Sequence, residues 1–68
     1  MLKIEFERED DGRWIAEIQE LSGVAAYGAT RDEAQAKVEV LALRTLADRL
    51  EHGEPIPELS NVFIVPAA

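Results

Sequence analysis

The stretch Leu2-Lys3-Ile4-Glu5-Phe6-Glu7-Arg8-Glu9-Asp10-Asp11-Gly12-Arg13-Trp14-Ile15-Ala16-Glu17-Ile18 decides the fold class. Leu2, Ile4 and Phe6 alternate with Lys3, Glu5 and Glu7, the period of two that marks a strand with one face buried. Asp11-Gly12 sits between two alternating runs, a strong hairpin signal because glycine takes the positive φ that a tight turn needs. Trp14, Ala16 and Ile18 then alternate with Arg13, Ile15 and Glu17, which predicts a second strand. Paired antiparallel, the ribbon has Ile4, Phe6 and Trp14 on a dry face and Lys3, Glu5, Glu7, Arg13 and Glu17 on a wet one.

Working outward, Glu20-Leu21-Ser22-Gly23 reads as a turn and Val24-Ala25-Ala26-Tyr27-Gly28 as a short third strand. Thr30-Arg31-Asp32-Glu33 has the form of a capping box, with the Thr30 hydroxyl accepting from the Glu33 N–H and the Glu33 carboxylate reaching back to the Thr30 N–H. A helix is expected from about Arg31 to about His52, stopped by Gly53, Pro55 and Pro57. It carries two apolar stripes. Ala36, Val40, Leu43, Ala47 and Leu50 share one face, with Leu46 at its border, and Ala34, Val38, Leu41 and Ala42 lie roughly opposite. One stripe must cover the sheet, and the Val38 and Leu41 stripe is expected to be the one left for another molecule. Asn61-Val62-Phe63-Ile64-Val65 is a nearly continuous apolar run ended by Pro66, and it reads as a fourth strand. The expected fold class is α+β: a single β-β-β-α-β domain over residues 1–68, with one long helix packed on a mostly antiparallel sheet. A helical crossover would place the fourth strand parallel to its neighbour, most simply beside the first.

Composition bounds the function. The chain has 68 residues, 7 Lys and Arg against 14 Asp and Glu, a formal net charge of −7, one His and no Cys. A chain of this size buries only about 60% of its unfolded surface. Disulfides and cysteine-based metal sites are excluded, so stability must come from packing or self-association. Binding to nucleic acid is disfavoured, because phosphate contacts need clustered Lys and Arg, and a basic protein partner is favoured by electrostatic steering. No apolar run approaches the ~20 residues of a membrane span, and the alternating N-terminus lacks the unbroken apolar core of a signal peptide. A cytoplasmic location is the expectation.

Chemistry finds little to stand on. The cluster Glu5, Glu7, Glu9, Asp10 and Asp11 suggests a divalent-metal nuclease only if those carboxylates converge in a cleft, and a solvated strand edge with a polar loop accounts for them more simply. His52 falls at the predicted helix C-terminus, where the helix dipole favours an imidazole. Ser22 and Ser60, the two serines, fall in a turn and a connector. The glycines mark element boundaries and do not form a phosphate-binding loop. Trp14 is expected in the core and Tyr27 at a rim or interface. No catalytic residue, cofactor or metal is expected.

The segment Asp11-Gly12-Arg13-Trp14-Ile15-Ala16-Glu17-Ile18-Gln19-Glu20-Leu21-Ser22-Gly23-Val24 resembles the "DGG-aromatic-x-A-x-x-P-E-L-P-G-C" segment of HicB-like antitoxins. Tyr27-Gly28-Ala29-Thr30-Arg31-Asp32-Glu33-Ala34 resembles the "x-G-D-T-x-E-E-A" segment that follows it in that family. Gln19 and Ser22 stand where the family usually has proline, and Val24 where it often has cysteine. The likeness covers residues 2–52. It implies a partial ribonuclease H-like fold, self-association, and neutralisation of a small basic HicA-like mRNA-cleaving toxin by direct binding. Longer members continue into a DNA-binding domain; this sequence ends at Ala68, so transcriptional repression is not part of the expectation. Glu5, Glu7, Asp10, Asp11 and Tyr27 are the expected partner-binding residues, and Val38, Leu41, Val62, Phe63 and Ile64 the expected self-association residues. The alternative is a homo-oligomeric protein with no toxin partner.

Overall fold

The computed structural model of the chain describes residues 2–67. β1 (Glu5–Arg8) and β2 (Trp14–Glu17) form the hairpin that the alternation predicts. Its loop closes through the Glu9 N–H donating to the Arg13 carbonyl at 2.7 Å and the Gly12 N–H donating to the Glu9 carbonyl at 2.9 Å. Gly12 takes a φ of 91°, a conformation that a Cβ would strain. Asp11 turns back on the loop, accepting from the Arg13 N–H at 3.0 Å and from its Nε at 2.8 Å. The backbone N–H of Arg13 is the main reason that the Asp11 carboxyl titrates below the usual carboxylate range.

β3 (Ala25–Gly28) pairs antiparallel with β2, giving the sheet order β1-β2-β3. The β2–β3 connection consists of two successive tight turns. The Leu21 N–H donates to the Ile18 carbonyl at 3.1 Å, the Val24 N–H to the Leu21 carbonyl at 3.2 Å, and the Ile18 N–H to the Val24 carbonyl at 3.0 Å. These turns aim Ile18, Leu21 and Val24 inward, and all three are buried. A segment that reads as a polar turn therefore supplies core. Leu21 and Val38 are the largest fully buried side chains, each contributing roughly 1.5–3 kcal/mol through burial.

α1 (Arg31–Glu51) starts as its capping box predicts, with the Thr30 hydroxyl accepting from the Glu33 N–H at 3.1 Å. The Glu33 carboxylate reaches one residue further than expected, to the Ala29 N–H at 3.3 Å, and pairs with Lys37 at 3.1 Å. The Lys37 ammonium, followed by the Ala29 N–H, holds the Glu33 carboxyl below the usual carboxylate range. The helix ends where Gly53 takes a φ of 74° and the Glu54 N–H donates to the Arg49 carbonyl at 3.0 Å.

The helix lies over β3 and β2, with β1 outside its main footprint. Ala34, Val38, Ala42 and Leu46 form its buried stripe. This reverses the expected use of the two faces. Val38 is fully buried and Leu41 is half-buried against the same core, so neither is available for self-association. The face left in solvent carries Val40, Leu43 and Leu50. The cause is size. At Gly28 a Cβ would run into the backbone N of Ala34 and come within 2.9 Å of its Cα. That approach requires a small residue where the helix crosses Gly28, and Ala34 satisfies it.

The expected fourth strand does not form in this chain. Pro57–Asn61 is a short 3₁₀ helix, and residues 63–67 have no regular secondary structure. Ile56 and Leu59 pack against the core, whereas Ile64 and Val65 are each 90% exposed. The sheet is three-stranded and antiparallel, and the α+β class stands. No helix among the described residues is long and apolar enough to cross a membrane.

Two consequences are measurable. Gly28→Ala is expected to lower unfolding free energy by about 1–3 kcal/mol in urea titrations, because the clash is with backbone and cannot relax by a rotamer change. Glu33 stabilises the fold above the ordinary carboxylate pKa of roughly 4, and that contribution is lost as pH falls through its lower folded-state value. The thermal stability advantage of the parent chain over Glu33→Gln should therefore narrow between about pH 5 and pH 2; an advantage independent of pH would exclude the ionised carboxylate as its source.

Candidate interaction surface

The register sorts the strand residues into two faces. Phe6 opposite Ala16 opposite Ala26 looks toward the helix, and so does Trp14 opposite Gly28. The outer face is built from two cross-strand rows: Glu5, Glu17 and Ala25, then Glu7, Ile15 and Tyr27. Glu5, Glu7, Glu9, Ile15 and Glu17 line a shallow depression of about 200 Å³ on this face. Tyr27 is 45% exposed there, more than its neighbour Ile15.

Electrostatically this face is unsettled. Glu5 and Glu17 are direct cross-strand partners of like charge, an arrangement that opposes strand pairing. Lys3 is 3.7 Å from Glu5 and highly exposed, a weak compensation. Arg13 is held at 2.8 Å by Asp11 and lies over the Tyr27 ring at 4.6 Å. It therefore caps the aromatic and does not neutralise the glutamates. Glu5, Glu7 and Tyr27 are brought onto one face, as expected. Asp10 stands exposed in the hairpin loop beside it, while Asp11 is committed to the loop itself. Glu17 lies on this surface as the alternation predicts, and Ile15 lies there with it: Ile15 breaks the polar alternation of its strand and so marks an apolar centre within the acidic face, opposite Glu7 and Tyr27.

Elsewhere, charge is used structurally. Arg31 lies 4.0 Å over Phe6 and Arg8 5.9 Å over Trp14, covering the two half-buried aromatics at the uncovered end of the core. The His52 ring lies with Nδ1 2.7 Å from the Asp48 carbonyl at the helix C-terminus. Among the described residues there is no buried polar or charged residue, and no group of three His, Cys, Asp or Glu that is placed to hold a metal ion. The carboxylates of the hairpin thus spread over a surface and do not converge. A second exposed surface is apolar: Val40, Leu43 and Leu50 on the helix, and Val62, Phe63, Ile64 and Val65 in the tail.

Comparison of the chain with protein families, with curated proteins and with solved structures finds no match.

If the Glu5–Glu17 pair is repulsive, Glu17→Gln should stabilise the isolated chain by about 0.2–1 kcal/mol in chemical unfolding at low salt. The gain should shrink at high salt. A neutral or destabilising effect at low salt would show that the two carboxylates are already screened.

Proposed function

We propose that this chain is a non-catalytic, cytoplasmic protein-binding module of the antitoxin type, which neutralises a small basic mRNA-cleaving toxin by covering its RNA-binding surface. The observation that carries this reading is the outer sheet face, where Glu5, Glu7, Glu9 and Glu17 surround Ile15 beside the exposed Tyr27. A ring of carboxylates around an apolar and aromatic centre matches the build of an interface: the centre is desolvated on contact and the rim supplies steering and register. The net charge of −7 adds long-range attraction to a basic partner and repulsion from RNA itself. The likeness of residues 11–34 to HicB-like antitoxins supports the same class of partner. The chain works by binding alone, without cofactor, nucleic-acid contact or membrane attachment.

The test is a titration, by calorimetry and by an RNA-cleavage assay, with the product of a neighbouring short basic reading frame. A stoichiometric complex that blocks cleavage is expected. Reversing Glu7→Lys should slow association by about tenfold at low salt and much less at high salt. Absence of binding at low salt would sink the proposal.

A second reading has its own observation: Val40, Leu43 and Leu50 together with the tail leave more apolar surface open than a small soluble domain usually carries. On that reading the chain is a self-associating protein, with or without a toxin.

A further inference from the structure

The tail offers a strand that has no sheet, and β1 offers a sheet edge that has no strand. Val62-Phe63-Ile64-Val65 has the composition of a buried strand, yet its residues are 62%, 66%, 90% and 90% exposed. β1 is the terminal strand of the order β1-β2-β3, so its outer row of N–H and C=O groups has no partner among the described residues. Beside that edge, where the helix footprint ends, runs an open, mostly apolar groove of about 350 Å³ lined by Leu2, Ile4, Ile18, Ala42, Leu43 and Leu46 together with the carboxylate-bearing Glu39. It continues into a second, mostly apolar hollow of about 450 Å³ that Leu2, Leu43 and Leu46 share with Leu59, Asn61, Val62 and Phe63.

Shape and area match what a second copy would cover. The radius of gyration is 14.3 Å, against about 11 Å for a compact chain of this length. The accessible surface is 5293 Å² for 7.5 kDa, against about 4,250 Å² for a compact monomer of that mass. The excess is roughly 1,000 Å² per chain, and two chains together carry the roughly 1,200–2,000 Å² that a specific interface buries. The tail is also the part of the surface that two such acidic chains can bring together: no charged residue follows Glu58, so docking it adds no like charge to the repulsion between copies at −7 each.

We propose that two copies of this chain exchange tails, residues 62–65 of each pairing along the free β1 edge of the other and setting alternate side chains into the groove beneath Leu43. This rests on the self-association reading and specifies it. The exchange is reciprocal and closes as a twofold dimer with no strand edge left at β1. It also gives the tail the strand role that its sequence predicts, in the partner's sheet.

The absence of cysteine makes the test clean. Sedimentation over micromolar to submillimolar concentration should show a dimer, and Ile64→Pro, which removes one ladder donor without touching the folded core, should weaken it at least tenfold. Separately prepared Lys3→Cys and Val65→Cys chains, once mixed, should be joined to each other by a short thiol cross-linker. A dimer indifferent to Ile64→Pro and without that cross-chain link overturns tail exchange and leaves self-association through the helix face. A chain monomeric throughout overturns both. A link that forms only within a single chain carrying both cysteines, with none between mixed chains, places the strand in its own sheet and also overturns the exchange.

Discussion

The contact on which the rest of the structure depends is the meeting of β3 and α1 at Gly28 and Ala34. No side chain separates the two backbones there, and a single added carbon would collide with the helix. That closeness fixes how the first turn of the helix meets the sheet, because only a small side chain fits where the backbones are so near. Ala34 meets the condition, and the stripe that follows from it, Val38, Ala42 and Leu46, is the one buried. Val38 and Leu46 then fill the space further along, over Ala16, Ile18, Leu21 and Val24. The consequence is a helix held tightly over β2 and β3 and a β1 strand left at the margin, which is where the open groove lies.

Much of this was legible from local rules. The alternation around Asp11-Gly12 specifies the hairpin and its faces, and Thr30 with Glu33 specifies the helix start, because both signals act within a few residues. Two features were not local. Periodicity at 100° per residue shows that the helix has two apolar stripes and says nothing about which one meets the sheet; that choice was made by Gly28, on a different element. Leu21 sits among Glu20, Ser22 and Gly23 and reads as part of a turn, yet the double turn rotates it into the core. On the outer face, Glu5, Glu7 and Glu17 were identifiable from alternation, whereas bringing Tyr27 beside Ile15 in the same row required the register of the third strand.

The tail marks the point where sequence and single-chain structure part. Its β-branched and aromatic run is strand-forming by composition, and strand formation needs a neighbour's backbone. A helix can be completed within its own segment; a strand cannot. When a chain of this size has a strand-like segment, an unpaired edge and more than the accessible surface of a compact monomer, each is incomplete for the same reason, and the proposed exchange between two copies would answer all three.

The two exposed surfaces differ in chemistry and in the direction they face. The acidic one lies on the outer side of the sheet, where Glu5 opposes Glu17 with only the highly exposed Lys3 as countercharge. The apolar one lies at the β1 edge and along Leu43, reached from the side. A strand added at that edge would extend the sheet without covering its outer face, so the proposed pairing of copies and the proposed capture of a basic partner would not compete for the same atoms.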